Sequence, residues 1–399
     1  MIEIGTVGVL GAGTMGAGIA QVVAEAGLTV LMHDPVEGAS ERARERIGGF
    51  LNRKAEKQQV SADDATAAMA RIRSVAALED LAEADLVIEA IPEDLELKRE
   101  AFKRLDASAA LTTVLATNTS SLSVAQIAAA TVRPERVIGM HFFNPVPLMA
   151  LVEVIAGPTT NPAVTDSVAL LARQLGKTPV VAADTPGFIV NRVQRAYYLE
   201  AFRLHEGGLA EVAAIDDAMR GVGFRLGPFE LADVVGTDVN LAAGLAIFDG
   251  FFGDVRFRPS QVQRRVVDSG RLGRKTGAGY YDYGTDGARG APWAAMARTR
   301  LLPSLDAAQI EARILASVIN EAASAASDGA AAPDAIDTAM RLATNWPDGP
   351  LAWGERLGLA SVVNTLDALH AVVPDGRYRV TPLLRTLAEN GGSFSSARG

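Results

Sequence analysis

The chain has 399 residues, enough for two or three domains with sizeable cores. Its 47 acidic residues outnumber 38 basic ones, so there is no net basic field for nucleic acid, and no run of 18 apolar residues or charged-then-apolar leader predicts a membrane partner. Cysteine is absent, which removes disulfides and thiolate metal sites and fits a cytoplasmic enzyme.

The first element is an apolar strand, Thr6–Leu10, running into Gly11-Ala12-Gly13-Thr14-Met15-Gly16 and then a helix over Met15–Ala26. Strand, glycine turn and helix in that order form the context a dinucleotide fingerprint requires. Gly11 allows the tight turn, Gly13 lets backbone approach a pyrophosphate, and Gly16 lets the helix pack close to the strand. The helix start offers free N–H groups to phosphates. Gly11, Gly13, Thr14, Met15 and Gly16 are therefore candidate cofactor residues. A second strand, Leu28–Met32, leads to Asp34, 18 residues after Gly16. A carboxylate there accepts both ribose hydroxyls of NAD and repels a 2′-phosphate, so NAD is expected over NADP.

A polar stretch over 37–71 reads as two surface helices that carry Lys54 and Lys57. Leu86–Ala90 is a buried strand, followed by a helix through Leu95–Leu105. Thr113–Ala116 is a strand, then comes the turn Thr117-Asn118-Thr119-Ser120-Ser121, then a helix over Val124–Ala130. Strands follow at Val137–Phe142, Leu151–Ile155 and Thr178–Ala182. This alternation predicts a doubly wound, mainly parallel sheet with helices on both faces.

His141 lies on the fifth of those strands and Glu153, 12 positions on, on the next. If the two strands pair, the carboxylate accepts from one ring nitrogen, fixes the tautomer and leaves the other nitrogen free as a base. The other histidines, His33, His205 and His370, show no metal-ligand spacing with it, so no catalytic metal is expected. A base beside a dinucleotide suggests hydride transfer at a carbon bearing a hydroxyl.

From Asp184-Thr185-Pro186-Gly187 the strand signals stop and a helix start is expected; helical periodicity dominates to about Ser269. Gly273-Arg274-Lys275-Thr276-Gly277 closes this part, and 284–302 reads as a linker. An internal repeat follows. Residues 200–220 and 321–341 align without gaps at an offset of 121, with ten of 21 positions identical. Further on, Arg256, Arg258, Arg264 and Gly270 match Arg377, Arg379, Arg385 and Gly391 at the same offset. The expected architecture is α/β, a Rossmann-type domain over 1–184, an all-α domain over 185–284, and a second, degenerate helical copy over 303–399.

These motifs bring the chain to a resemblance. Gly-Ala-Gly-Thr-Met-Gly, Asn118-Thr119-Ser120-Ser121-Leu122, His141-Phe142-Phe143-Asn144-Pro145 and Asp184-Thr185-Pro186-Gly187-Phe188-Ile189-Val190-Asn191-Arg192 together resemble the NAD-dependent (S)-3-hydroxyacyl-CoA dehydrogenases through residues 5–283. The duplicated helical part is similar to that of longer bacterial members. Relatives acting on free sugar acids look similar but usually lack the Phe-Phe after the histidine. The resemblance implies the following roles. His141 is the base and Glu153 its partner. Ser120 and Asn191 hydrogen-bond the substrate's oxygen functions, although Ser120 can also cap the helix that follows it. Glu93, Lys98, Ser120, Asn144 and Lys275 match positions around the NAD nicotinamide half. Lys54 or Lys57 falls near where the family holds CoA, and both can equally be solvated helix positions. In single-copy relatives the surface taken here by the second helical copy belongs to a partner subunit, so the protein is expected as a monomer with an internal pseudo-dimer or as a homodimer. The substrate is expected to be a short-chain thioester such as 3-hydroxybutyryl-CoA. The alternatives are 3-hydroxyadipyl-CoA, a free hydroxy acid, or binding of NAD without catalysis.

Overall fold

The structure is a computed structural model and describes residues 2–297 and 303–395. It divides into two compact units, 1–188 and 189–399.

The first unit is built on eight strands: β1 (Thr6–Leu10), β2 (Thr29–His33), β3 (Ile72–Ser74), β4 (Leu86–Glu89), β5 (Val114–Thr117), β6 (Val137–Phe142), β7 (Leu151–Ala156) and β8 (Thr178–Ala183). Six helices connect them: α1 (Thr14–Glu25), α2 (Ala39–Glu56), α3 (Ala62–Ala70), α4 (Leu95–Ser108), α5 (Val124–Ala128) and α6 (Pro162–Gln174). The strand order is β3-β2-β1-β4-β5-β6-β7-β8. All neighbours are parallel except β6 and β7, which pair antiparallel. The order reverses between β1 and β4, and ligands of such sheets bind in the crevice outside the strand carboxyl ends there. The central strands are continuous apolar runs because helices cover both of their faces. Val7, Val30, Ile88, Val114 and Ile138 are all fully or almost fully excluded from water.

Two expectations need correction in this unit. β3, on the edge of the sheet, was not expected from the sequence; three residues are too short to show a period-two pattern. The Asp184–Pro186 segment does not start a helix. Asp184 instead accepts from Ser123 Oγ (2.8 Å), Val124 N (3.0 Å) and Ala125 N (2.7 Å), and so caps α5, 60 residues back. The helix that follows begins only at Val190.

The second unit holds two sets of five helices. The first set is α7 (Val190–Glu206), α8 (Val212–Gly221), α9 (Pro228–Val235), α10 (Thr237–Gly250) and α11 (Gln261–Asp268). The second set is α12 (Ala307–Ser327), α13 (Pro333–Thr344), α14 (Pro350–Leu357), α15 (Leu359–Val372) and α16 (Pro382–Asn390). The duplication extends to single hydrogen bonds. Asp216 accepts from Phe229 N (2.9 Å) and Glu230 N (3.1 Å), while its counterpart Asp337 accepts from Leu351 N (2.8 Å) and Ala352 N (2.9 Å). Each carboxylate holds two orphan N–H groups at the start of the next helix.

The copies pack on each other with α7 against α12. The contact is reciprocal. Arg192 of the first copy donates to Glu321 of the second, and Arg313 of the second donates to Glu200 of the first, both at 2.7 Å at their shortest. These four residues are related by the sequence offset of 121, which is the signature of an isologous interface. Aromatic rings fill the space beside it: Tyr197 stacks on Phe224 (4.9 Å) and Phe224 on Trp353 (5.3 Å).

The region expected as a linker is partly ordered. Strand β10 (Arg289–Pro292) pairs antiparallel with β9 (Tyr281–Tyr283), and Arg271 lies over the Trp293 ring. Glycines and a proline hid this hairpin, since they are also loop residues. Residues 298–302 of that expectation lie outside the described residues. The described part of the second copy makes a different contact at the corresponding place. There Glu355, counterpart of the Asp233 that accepts from Tyr280 N and Tyr281 N, accepts from Phe394 N. No single helix among the described residues is long and apolar enough to cross a membrane.

Candidate active site

The glycine turn after β1 is held from several sides. Gly11 has φ of +100°, and a Cβ on it would lie 2.6 Å from the Ala90 carbonyl oxygen. A Cβ on Gly16 would fall 1.8 Å from the carbonyl oxygen of Gly11, so the helix can approach the strand only without a side chain there. Gly13 differs. A Cβ on it would meet nothing within 4 Å, and it sits at the N-cap of α1, whose first turn carries unpaired N–H groups. That open space at a helix start has the character of a pyrophosphate cradle. Asp34 closes the turn: Oδ2 accepts from Ala12 N (2.7 Å) and Oδ1 from Val36 N (2.9 Å). Arg46, not singled out from sequence, donates to the Ala12 carbonyl at 2.9 Å.

The next loops follow β4 and β5. Lys98 is 1% exposed and donates to Glu89 at 2.6 Å, with the Glu93 carboxylate at 3.4 Å. Thr117 donates to the other Glu89 oxygen at 2.7 Å, and Ile91 N donates at 2.8 Å. Burial pushes the Glu89 carboxyl above the ordinary glutamate range, against the pull of Lys98. Glu93 is held below that range even though burial opposes it. Lys98 and donors from the 119–121 turn outweigh the burial. Those donors are Thr119 Oγ1 (2.7 Å), Ser120 N (2.9 Å) and Ser121 N (3.0 Å). The Ser120 hydroxyl also reaches Glu93, at 3.2 Å. Glu93 and Ser120, both expected at the site, are thus brought together. The alternative of Ser120 as a helix cap is not what forms; Ser123 caps α5. Lys98, also expected at the site, is buried on two carboxylates, Glu89 and Glu93. Glu89, Thr117 and Thr119 were missed. Their signal is a carboxylate ending an otherwise apolar buried strand, nine residues before a lysine.

β6 and β7 supply the histidine. Their register sets His141 directly opposite Glu153. His141 Nδ1 lies 2.7 Å from Glu153 Oε2. Glu153 is fully buried and the His141 side chain only 8% exposed. The Phe143 ring lies 4.5 Å from the imidazole and the Phe188 ring 6.0 Å, which leaves it an apolar wall. Asn118 Oδ1 accepts from Phe142 N (2.8 Å), tying the 117–121 turn to the histidine strand. Lys177, another missed residue, donates to the carbonyls of Val146 (2.6 Å) and Met149 (2.8 Å), and so holds the loop that carries Asn144.

Other expected residues are placed less decisively. Lys54 is paired with Glu25 at 2.9 Å, while Lys57 is exposed at the end of α2. Arg53, beside them, lies over the exposed Phe50 ring. In the second unit, Asn191 sits in the first turn of α7, and Lys275 pairs with Asp238 at 2.7 Å. His33 has its Nδ1 3.2 Å from the Val75 carbonyl. His205, given no partner from sequence, is buried with its Nδ1 3.3 Å from the Ala210 carbonyl.

A Rossmann-type sheet with an intact glycine cradle, beside a buried histidine–glutamate pair, defines an NAD-dependent dehydrogenase. Comparison with known proteins sharpens this. Residues 6–185 match the family described as 3-hydroxyacyl-CoA dehydrogenase, NAD binding domain, and residues 187–283 and 310–396 both match its C-terminal domain. The chain is 38% identical to the 3-hydroxyadipyl-CoA dehydrogenase of Escherichia coli K12, over 97% of its own length and 98% of that protein's. It is 44% identical to the probable 3-hydroxybutyryl-CoA dehydrogenase of Bacillus subtilis, over 71% of this chain and 98% of that one. A crystal structure of 3-hydroxybutyryl-CoA dehydrogenase from E. coli K12 superposes with a TM-score of 0.88 at 37% identity, covering 97% of this chain and 99% of that one. The chain belongs to the 3-hydroxyacyl-CoA dehydrogenase family. It is an NAD-dependent enzyme that interconverts 3-hydroxyacyl-CoA and 3-oxoacyl-CoA.

Proposed function

We propose that His141 is the general base of this reaction and that its Nε2 takes the proton of the substrate's 3-hydroxyl. The observation that carries this is the 2.7 Å contact between His141 Nδ1 and Glu153. With Nδ1–H donating to the carboxylate, Nε2 presents its lone pair. Glu153, buried and fixed by strand register, then stabilises the imidazolium that forms. Such a base is worth ~10²–10⁴-fold in rate. NAD supplies the hydride acceptor when bound on the 11–16 turn. Gly13 and the start of α1 receive its pyrophosphate, with Thr14 and Met15 in the same first turn. Asp34 accepts from its ribose hydroxyls. Glu93, Asn144 and Lys275 serve its nicotinamide half, with Lys98 acting on Glu93 from below. Ser120 and Asn191 hydrogen-bond the substrate's oxygens and so frame the changing C–O bond. For the anionic CoA, Lys57 is the better of the two lysines, since Glu25 occupies Lys54. Arg53 and the exposed Phe50 ring beside it add charge and a stacking face.

The acyl group is assigned to the short-chain class, 3-hydroxybutyryl-CoA first, in line with the relatives of that name. The similarity to the E. coli 3-hydroxyadipyl-CoA dehydrogenase along nearly the whole chain supports a second reading, a dicarboxylic acyl-CoA. The reciprocal ion pairs between the helical copies support a monomer that carries its pseudo-dimer contact within one chain. NADH formation across a panel of 3-hydroxyacyl-CoA thioesters tests the assignment. The panel spans four to eight carbons, with the six-carbon dicarboxylic thioester and free 3-hydroxy acids as further arms. The highest kcat/KM is expected on 3-hydroxybutyryl-CoA. A higher value on the dicarboxylic thioester would replace the first reading by the second. Turnover of the free acids at comparable kcat/KM would overturn both.

A further inference from the structure

The two ion pairs that join the helical copies are equivalent by sequence but not by surroundings. Arg192 follows Asn191 in the first turn of α7. Its counterpart Arg313 follows Ala312 in α12, which begins five residues earlier, at Ala307, and runs 21 residues. A first turn lacks the backbone hydrogen bonds that fix a helix interior, so its side-chain tethers decide where it sits. The tethers have diverged in that sense. Arg192 Nε donates to Glu321 Oε1 (2.7 Å), and Nη2 donates to Ser324 Oγ (3.1 Å) and Asp328 Oδ2 (2.5 Å). Arg256 steadies the same Glu321 from its other oxygen at 3.0 Å. At the mirror-related end, Ser324 and Asp328 correspond to Arg203 and Gly207, which give Arg313 no acceptor side chain. Among the described residues, Arg313 donates to Glu200 and the Tyr378 hydroxyl alone. The copy without a dinucleotide domain has thus gathered acceptors at one end of a once-symmetric contact, the end beside Asn191.

We infer that Glu321, with Asp328, is a positioning residue for the dehydrogenase reaction: from the second helical copy it fixes Arg192, and through it the first turn of α7 and Asn191. This rests on the role proposed above for Asn191. Arg192 is fully buried, so no water can replace the lost carboxylate. Without that charge the guanidinium is left with Asp328 as its counter-ion and the turn shifts toward it; displacements of about 1 Å at a reacting group cost up to ~10²-fold in rate.

The test compares Glu321→Gln, Asp328→Asn and Glu200→Gln in the full chain. For each, kcat and KM for the acyl-CoA, NADH binding by fluorescence and the thermal midpoint are measured. Glu321→Gln is expected to lower kcat about tenfold or more and Asp328→Asn, at a half-exposed site, by less. Glu200→Gln should keep kcat within about twofold while lowering the thermal midpoint as much as Glu321→Gln does. NADH affinity should hold in all three. In an Asn191→Ala background, neither Glu321→Gln nor Asp328→Asn should reduce kcat further. Equal kcat losses in Glu321→Gln and Glu200→Gln, or losses that multiply with Asn191→Ala, would overturn the inference. Should Glu321→Gln fail to fold, Asp328→Asn decides alone, and a normal kcat there overturns it. Asn191→Ala impaired beside a normal Glu321→Gln sinks the inference alone. A normal Asn191→Ala sinks the role of Asn191 as well.

Discussion

Lys98 Nζ lies 2.6 Å from Glu89 Oε1, with both side chains almost wholly withdrawn from water. The lysine joins α4 to the end of β4 and leans on Glu93, which in turn gathers Thr119, Ser120 and Ser121. One buried cation therefore sets the geometry of two loops at the carboxyl edge of the sheet. Lys98→Met leaves Glu89 buried without its counter-charge, and removing one partner of such a pair costs about 3–5 kcal/mol. The loss should depend on pH. Burial already raises the Glu89 carboxyl in the folded protein, and without Lys98 it rises further. A carboxyl raised in the folded state contributes stability at acid pH that is lost as pH climbs through its folded value. The gap in thermal midpoint between wild type and variant should thus widen from pH 5 to pH 8. A gap that stays constant would mean that Glu89 is not the group left stranded.

Asp34 should make the enzyme prefer NAD to NADP. Its carboxylate accepts two backbone N–H bonds in the structure, and on the proposed reading it also accepts from the ribose hydroxyls. Asp34→Ala removes both the ribose acceptor and the brace on Ala12. The ratio of kcat/KM for NAD over NADP should shrink, mainly through loss with NAD. Equal use of the two cofactors by the wild type would contradict this.

Deleting residues 303–399 should uncover the flank of α7, with Tyr197 and Phe224 losing the tryptophans packed on them. It would also strand Arg192 and Glu200, which are buried in the intact chain. An apolar face of that kind, carrying unpaired charge, aggregates or finds a copy of itself. Light scattering on the truncated protein should report aggregate or a new dimer, with a lowered thermal midpoint. A monomer of unchanged stability would make the second copy an independent appendage.

Much of this molecule was legible in its residues because local pattern and tertiary demand agree. The glycine turn could be assigned from the strand before it and the helix after it, and Asp34 from its distance beyond Gly16. His141 and Glu153 could be joined as soon as two apolar runs were read as a strand pair, since their register brings the two together. What stayed hidden depends on contacts distant in sequence. Asp184 read as a helix start because acidic residues favour that position, yet the helix it caps lies 60 residues earlier. Lys98 was placed near the cofactor by the resemblance alone, and only the fold shows the buried carboxylates that compensate its charge. The Arg289–Pro292 strand was lost to its own glycine and proline. The repeat, by contrast, was visible in sequence down to the paired arginines, although nothing in the alignment says that each arginine reaches across to the other copy's glutamate.

The most direct measurement is kcat for acyl-CoA oxidation in His141→Ala and Glu153→Gln, with NADH binding followed in parallel. If His141 is the base, His141→Ala loses about 10²–10⁴-fold in kcat while NADH affinity holds, because the cofactor turn lies on β1 and not on β6. Glu153→Gln keeps the shape but not the charge, so its loss should be large yet smaller than that of His141→Ala. A His141→Ala enzyme with near-normal kcat would contradict the assignment of the base outright.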